Sequence, residues 1–545
     1  MTKHPRAGQL ASHDDLINIP QLIASYYVRE PNPRKVSQQV KFGTSGHRGT
    51  ALKHTFNEAH VLAMSQAICG YRAEHGITGP LLLGKDTHAL SEVAFITALE
   101  VFIANGVEVH VQSDLGYTPT PVISHEILRY NQGKSSGFAD GVIITPSHNP
   151  PQDGGFKYNP PHGGPADTDV TSVIEKYANA ILSSELMGVN VVGYDEALSS
   201  KLLHRCDWIT AYVDDLEQVL DMTAIAKAKL NIGVNAMGGA GMHYWHAIGE
   251  KYGLQLTIVN DHVDPTFSFM TLDKDGAIRM DCSSSDAMAS MLAMRDSFDL
   301  AVGNDPDYDR HGIVTPEGLM NPNHFLAVCI DYLIKTREWS SDTLIGKTLV
   351  SSAMIDRVVA GAGRTLMEVP VGFKWFAQGL ASGKVGFAGE ESAGASFLDR
   401  QGKAFSTDKD GMILALLAAE IQATTGKTPS AYYRELEQQY GQSHYARLDM
   451  QASYEQIMAF KPLVAQPPVL ELFAGEAVSA VLTKAPGNQE EFGGVKVTTE
   501  NGWFAARPSG TEPVYKIYAE SLKSAEHLAA IQAEAKQLLT AWLTA

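Results

Sequence analysis

Ser147 stands in a stiff turn, Thr145-Pro146-Ser147-His148-Asn149-Pro150, directly after the apolar run Val142-Ile143-Ile144. Proline fixes φ on both sides and Asn-Pro favours a turn, so the hydroxyl is displayed at a strand end as a candidate nucleophile. For a lone serine between prolines an ordinary polar turn is the commoner reading, and the other motifs must decide. The first of these is Gly303-Asn304-Asp305-Pro306-Asp307-Tyr308-Asp309-Arg310-His311-Gly312, which follows the apolar run 300–302. Asp305, Asp307 and Asp309, at i, i+2 and i+4, can converge as hard oxygen donors on Mg²⁺ and leave positions open for a phosphate oxygen. A calcium EF-hand loop fails, because Arg310 stands where that loop needs Gly and Pro316 where it needs Glu. A solvated acidic turn is weakened by Arg310, a cation suited to phosphoryl charge.

Arg507-Pro508-Ser509-Gly510-Thr511-Glu512-Pro513 combines a guanidinium fork, hydroxyl donors and a glycine that permits close backbone approach, which together make a phosphate cradle. Gly389-Glu390-Glu391-Ser392-Ala393-Gly394-Ala395 offers acceptors and a hydroxyl at a spacing suited to vicinal sugar hydroxyls. An acidic helix N-terminus is the equally economical alternative there. Two Gly-rich segments add cations, Arg48 within 42–49 and Lys157 after Gly154-Gly155-Phe156. No Walker A sequence occurs, and Gly239-Ala240-Gly241 lacks the third glycine of a dinucleotide fingerprint, so neither ATP nor NAD is indicated.

These loops need strands to aim them. Short β-branched runs alternate with helical patterns, as a βαβ architecture requires. The runs 80–84, 107–111 and 142–144 read as strands of a first unit, 230–234, 254–259 and 300–302 of a second, and 348–350, 365–369 and 384–387 of a third. Ligands in open α/β sheets sit beyond the carboxyl ends of strands, so three such units can aim their loops at one cleft. The last hundred residues differ: 494–498, the Asn501-Gly502 turn, 503–506 and 514–518 read as antiparallel strands, and Ser524 onward as an amphipathic helix. Pattern shifts place boundaries near 205, 320 and 440, giving domains 1–205, 206–320, 321–440 and 441–545.

At 545 residues the chain is long enough for several cores. A net charge of −18 argues against a nucleic-acid or anionic-membrane surface. No apolar run is long enough to span a bilayer, and the polar start Met1-Thr-Lys-His-Pro-Arg lacks the core of a secretory signal, so a cytoplasmic location is expected. Cys69, Cys206, Cys282 and Cys329 show no Cys-x-x-Cys, which argues against both a zinc site and a disulfide framework.

Arriving in this order, the serine loop, Asp triplet, Glu/Ser loop and Arg-Ser-Gly-Thr loop resemble the α-D-phosphohexomutase superfamily over nearly the whole chain. Within it they are most similar to the bacterial phosphoglucomutases, which interconvert glucose 1-phosphate and glucose 6-phosphate. The resemblance implies an α/β fold of four domains around a central cleft, three α/β domains and a smaller C-terminal α+β domain. It implies that Ser147 is the phosphorylated residue and that Asp305, Asp307 and Asp309 hold one Mg²⁺ together with a phosphoserine oxygen of Ser147. Arg48, His148 and Lys157 fall beside the phosphoserine, with Lys157 a candidate general acid/base. Glu390 and Ser392 would grip sugar hydroxyls, Arg310 and Lys374 would face the substrate, and Arg507, Ser509, Gly510 and Thr511 would hold the phosphate that is not reacting. Glucose 1,6-bisphosphate is implied as intermediate and activator, a small sugar phosphate as the only ligand partner, and a monomer or homodimer as the assembly. Mannose-accepting relatives carry Gly-Glu-Met-Ser-Gly-His in the sugar loop; Glu391 and Ala393-Gly394 depart from it, which favours glucose.

Overall fold

The computed structural model describes residues 3–43, 46–508 and 514–544. Its first sheet contains β1 (His47–Thr50), β2 (Leu81–Lys85), β3 (Val109–Gln112), β4 (Asp140–Ile144), β5 (Asp153–Asn159) and β6 (Leu203–Cys206) in the order β1-β5-β4-β2-β3-β6. Neighbours among β2, β3, β4 and β6 pair in parallel, and β5 runs antiparallel to both β4 and β1, between which it lies. Strands covered on both faces must be apolar on both, and Val142, Ile143 and Ile144 are all fully buried.

The second sheet joins β7 (Asn231–Asn235), β8 (Gln255–Val259), β9 (Leu300–Gly303), β10 (Gly312–Thr315) and β11 (Gly318–Leu319) in the order β11-β10-β9-β7-β8. The third joins β12 (Leu344–Thr348), β13 (Leu366–Val369), β14 (Val385–Glu390) and β15 (Gly394–Phe397) in the order β13-β12-β14-β15. Here the expected strand 348–350 lies earlier in the chain: β12 ends at Thr348, and Leu349 and Val350 turn away as fully buried side chains. Their burial, not extended pairing, explains their apolar character.

The C-terminal sheet is wholly antiparallel. It contains β16 (His444–Gln451), β19 (Ala480–Lys484), β20 (Glu491–Thr498), β21 (Gly502–Pro508) and β22 (Val514–Ser521) in the order β16-β22-β21-β20-β19. A two-stranded ribbon of β17 (Leu472–Phe473) and β18 (Glu476–Ala477) precedes β19, and the helix Ala525–Thr544 packs over the sheet. One apolar core runs from Leu82, Val122 and Ile143 of the first unit through the second into the third, so the first three units share a hydrophobic interior. No helix among the described residues is long and apolar enough to cross a membrane.

The N-terminal arm behaves unlike the rest of the first unit. His4, Gly8 and Ala11 donate backbone hydrogen bonds to the carbonyls of Lys274, Leu272 and Met270 at 2.9, 2.8 and 3.0 Å, and Lys3 pairs with Asp286 at 2.7 Å. This segment therefore straps onto the second unit before the chain enters the first.

Several histidines, His60 fully buried and His162 and His324 partly so, are held in neutral form. His60 Nδ1 accepts the Asn57 N–H at 3.1 Å while Nε2 lies 2.9 Å from the Gln38 carbonyl, and His162 Nδ1 accepts the Gly164 N–H at 3.2 Å. Burial lowers His60 to about 3 and His162 and His324 to about 4. Below the usual histidine value the unfolded chain binds protons that these rings refuse, so stability rises with pH between about 4 and about 6.5. The calorimetric Tm is expected to fall as pH is lowered through that window, and His60→Gln to flatten the slope. An unaltered slope in the variant would refute the assignment for His60.

Candidate active site

Ser147 sits three residues beyond the carboxyl end of β4, fully buried, with φ at 59°. A left-handed serine is uncommon and needs support from its surroundings. Its N–H donates to Thr145 Oγ1 at 2.8 Å, and Thr145 Oγ1 donates in turn to Asp86 Oδ2 at 2.6 Å. Asp86, just past β2, also accepts from the His88 amide at 3.0 Å and from Ser91 Oγ at 2.6 Å, and lies 2.9 Å from His88 Nδ1. The other ring nitrogen of His88 is 3.0 Å from the Asn149 carbonyl. Burial alone would raise Asp86, yet His88 and the hydroxyl donors hold it below the usual carboxylate range. Burial alone would lower His88, yet Asp86 holds it above its ordinary value. This ion pair clamps the serine turn at both ends. Gly155 completes the support from β5, where a Cβ would overlap the Thr145 carbonyl.

The turn after β9 brings the aspartates to that serine. Asp305, Asp307 and Asp309 are fully buried and place one oxygen each within 4.8 Å of the others. Ser147 Oγ donates to Asp305 Oδ2 at 2.8 Å, and the Arg310 N–H donates to Asp305 Oδ1 at 3.0 Å. Lys157, from β5, donates to Asp307 Oδ2 at 2.6 Å and to Asp309 Oδ2 at 3.1 Å. Asp307 is further held by Thr120, whose hydroxyl reaches Oδ2 at 2.7 Å and whose N–H reaches the backbone carbonyl at 2.9 Å. Lys409 adds a third cation, 2.9 Å from Asp309 Oδ2.

Asp307 Oδ1 and Asp309 Oδ1 are left buried with no hydrogen-bond partner among the described residues. Such oxygens are costly unless something else satisfies them, and an all-oxygen set of this spacing suits Mg²⁺. Burial, then Asp307 and Asp309, raise Asp305 well above its ordinary value. Burial would lower Lys157, but Asp307 and Asp309 outweigh it and keep it protonated. Arg310 is likewise held charged by Asp281, Asp309 and Asp305 against its burial. Arg48 on β1, paired in register with Gly155, is lowered by burial and then by Arg310. His148 Nδ1 lies 3.4 Å from Ser147 Oγ, and burial followed by Arg310 keeps the ring neutral.

The remaining expected residues are placed by the third and fourth units. The sugar-type loop is the turn of an antiparallel hairpin, with Glu390 on β14 opposite Gly394 on β15, which removes the alternative of an acidic helix N-terminus. Ala393 takes φ 69° in that turn and its carbonyl accepts the His311 N–H at 3.0 Å, coupling the hairpin to the aspartate loop. Glu390 is buried, accepts the Gly372 N–H at 2.9 Å, and is raised by that burial; Ser392 is half-buried at the turn. Lys374 opens the helix Lys374–Ala381, donates to Thr168 Oγ1 of the first unit and lies 4.7 Å over the Trp375 ring. Arg507 is near the end of β21, and its Nε is buried without a partner among the described residues. Ser509, Gly510 and Thr511 lie outside the described residues.

Four family models cover the chain in sequence. They are described as phosphoglucomutase/phosphomannomutase alpha/beta/alpha domain I at residues 39–185, domain II at 210–318, domain III at 321–440, and the C-terminal domain at 469–538. A protein of Komagataeibacter xylinus named phosphoglucomutase is 57% identical over 98% of this chain and 97% of its own length. The chain belongs to the phosphoglucomutase/phosphomannomutase family. A more distant relative from Thermococcus kodakarensis, named phosphoglucomutase/phosphomannomutase, is 24% identical over 88% of this chain and 94% of its own. The fold matches crystal structures of a phosphomannomutase described as putative from Thermus thermophilus and of parafusin from Paramecium in an open form, each with TM-score 0.72. The first is 24% identical and covers 94% of this chain and all of the other; the second is 20% identical and covers 95% and 96%.

As a member of this isomerase family the protein carries, beside the expected residues, three features that the motifs alone did not reveal. Lys409 lies between Asp408 and Asp410 just before the helix Gly411–Thr425, which Asp410 caps through the Met412 and Ile413 amides, each at 3.1 Å. A lysine between aspartates ahead of an apolar helix was the signal for it. Thr120 and the Asp86–His88 clamp had none, because their partners are far away in the chain.

Proposed function

We propose that the protein is a phosphoglucomutase, interconverting α-D-glucose 1-phosphate and D-glucose 6-phosphate through phosphorylated Ser147 and glucose 1,6-bisphosphate. The observation that carries this is the 2.8 Å hydrogen bond from Ser147 Oγ to Asp305, inside a buried set of three aspartates faced by Lys157, Lys409 and Arg310. A phosphatase using the same phosphoserine would need the same charge neutralisation; what it would not need is the sugar loop at Glu390 and Ser392 and the Arg507 cradle, which serve a substrate bound both ways round.

Phosphoryl transfer asks mainly for in-line positioning and charge neutralisation. Asp305, Asp307 and Asp309 would hold Mg²⁺, which when bound offsets charge developing on the serine oxygen. In the forward step the bond between phosphorus and Ser147 Oγ breaks, a bond to the free sugar hydroxyl forms, and that hydroxyl's proton ends on Ser147. His148, 3.4 Å from Ser147 Oγ, and Lys157, held on Asp307 and Asp309, are the groups proposed to move that proton, while Arg48, Arg310 and Lys409 neutralise phosphoryl charge. Glu390 and Ser392 would orient the sugar, with Lys374 on the same side of the cleft. Arg507, Ser509, Gly510 and Thr511 would hold the distal phosphate, so the bisphosphate can return its other phosphoryl group to Ser147 after turning over. Free glucose 1,6-bisphosphate acts as activator by phosphorylating Ser147.

A cytoplasmic monomer or homodimer is the proposed state, and the proposed division near 205, 320 and 440 is supported by one matched family segment and one principal sheet in each part. In a coupled assay with Mg²⁺ and a trace of glucose 1,6-bisphosphate, glucose 1-phosphate is expected to turn over far faster than mannose 1-phosphate. Equal rates, or turnover of neither, would refute the reading.

A further inference from the structure

Away from the cleft, Glu108, His110 and His204 bring three ligand atoms within 4.8 Å of one another. His110 on β3 is the register partner of His204 on β6, and Glu108, two residues before His110, shares its face of the strand. A single oxygen, Glu108 Oε1, lies 2.7 Å from His110 Nε2 and 3.7 Å from His204 Nε2. Both imidazoles therefore present the same ring nitrogen to one carboxylate. The second separation is too long for a hydrogen bond, so His204 is aimed there without being satisfied there. With metal–ligand lengths near 2.1 Å, ligand atoms on a tetrahedral ion stand roughly 3.4 Å apart, and the two observed distances bracket that value.

We propose that Glu108, His110 and His204 form a surface site for a borderline-soft divalent cation of the zinc or nickel class, separate from the aspartate cleft. Two imidazoles and one carboxylate favour such ions over Mg²⁺, whereas the all-oxygen aspartate set does the reverse. The Glu108 and His204 side chains are 44% and 50% exposed and that of His110 is 18% exposed, so an ion can enter from solvent and water completes its coordination.

The cluster sits toward the amino ends of β3 and β6, whereas the Ser147 turn leaves the carboxyl end of β4. Because β6 is the edge strand, a bound ion ties β3 to the stretch of chain that next enters the helix Trp208–Val219 of the second unit. The missing Cys-x-x-Cys pairs argued against a zinc site, but a Glu/His/His set needs no thiolate and has no local spacing to betray it; this one is assembled by parallel register across nearly a hundred residues.

The test uses untagged full-length protein in excess Mg²⁺, with Ni²⁺ as the probe, read by equilibrium dialysis and by Tm. One Ni²⁺ per chain is expected, bound in the micromolar range and raising Tm. Loss of an outer-shell partner already costs about 10–100-fold, so His204→Gln and His110→Gln should each weaken binding at least about tenfold and abolish the Tm rise, and Asp307→Asn should change neither. Wild-type binding weaker than about 1 mM, wild-type-like binding in both histidine variants, or loss of binding in Asp307→Asn would overturn the proposal.

Discussion

Ser147→Ala is expected to lower kcat/KM at least about 10⁴-fold while the protein stays folded. Among the described residues, the two hydroxyls bonded into this site are engaged elsewhere: Thr145 Oγ1 is committed to Asp86 and to the Ser147 amide, and Thr120 Oγ1 to Asp307. Alanine meets the same left-handed backbone as serine, held by the same Thr145 and Asp86 bonds, so the turn persists. What is lost structurally is one hydrogen bond to Asp305, worth about 1.5–3 kcal/mol, which in a chain this size moves Tm by a few degrees. A second readout separates chemistry from folding. Incubation with glucose 1,6-bisphosphate should add one phosphoryl group to the wild-type peptide containing Ser147 and none to the variant. Near-normal turnover, or phosphorylation of the variant elsewhere in the cleft, would refute the serine mechanism.

The parts of this site that were legible in the sequence are those whose geometry is local. Proline and asparagine around Ser147 dictate a turn; carboxylates at alternate positions after an apolar strand dictate a convergent loop; Asn501-Gly502 dictates a hairpin between β20 and β21. The alternation of buried strands and helices displayed three α/β units for the same reason, since a strand covered on both faces must be apolar throughout. Where local chemistry is ambiguous the reading diverged. Glu390-Glu391-Ser392 fits a helix start as well as a hairpin turn, and the hairpin wins because Gly394–Phe397 pairs back onto β14, a choice settled by the sheet. Leu349 and Val350 resemble strand residues because buried turn positions are also apolar. What stayed hidden was long-range. Lys157 meets Asp307 across 150 residues and Thr120 meets it across 187, and nothing local to Thr120 marks it as a brace for a carboxylate. The N-terminal arm is equally silent, because its docking is mostly backbone to backbone.

Asp307→Asn is expected to weaken Mg²⁺ dependence and rate together, by at least about tenfold in half-saturating Mg²⁺ and about 10²–10³-fold in kcat, the scale set by removal of one preorganised electrostatic group. The argument lies in the two oxygens of Asp307, which have different duties. Oδ2 accepts from Lys157 and Thr120, both donors; Oδ1 is buried without a partner among the described residues. An amide supplies one oxygen only. If it faces Lys157 and Thr120, its NH₂ points to the position proposed for the metal. If it faces the metal, the NH₂ meets the Lys157 ammonium, which has no lone pair to accept with. Neither arrangement satisfies both sides, although the side-chain shape is unchanged. The linked thermal prediction is that the Mg²⁺-induced rise in Tm shrinks, since a tenfold loss of affinity removes about 1.4 kcal/mol of ligand stabilisation at saturating metal. An unchanged Mg²⁺ titration in Asp307→Asn would remove Asp307 from the metal set and leave it only the role of holding Lys157.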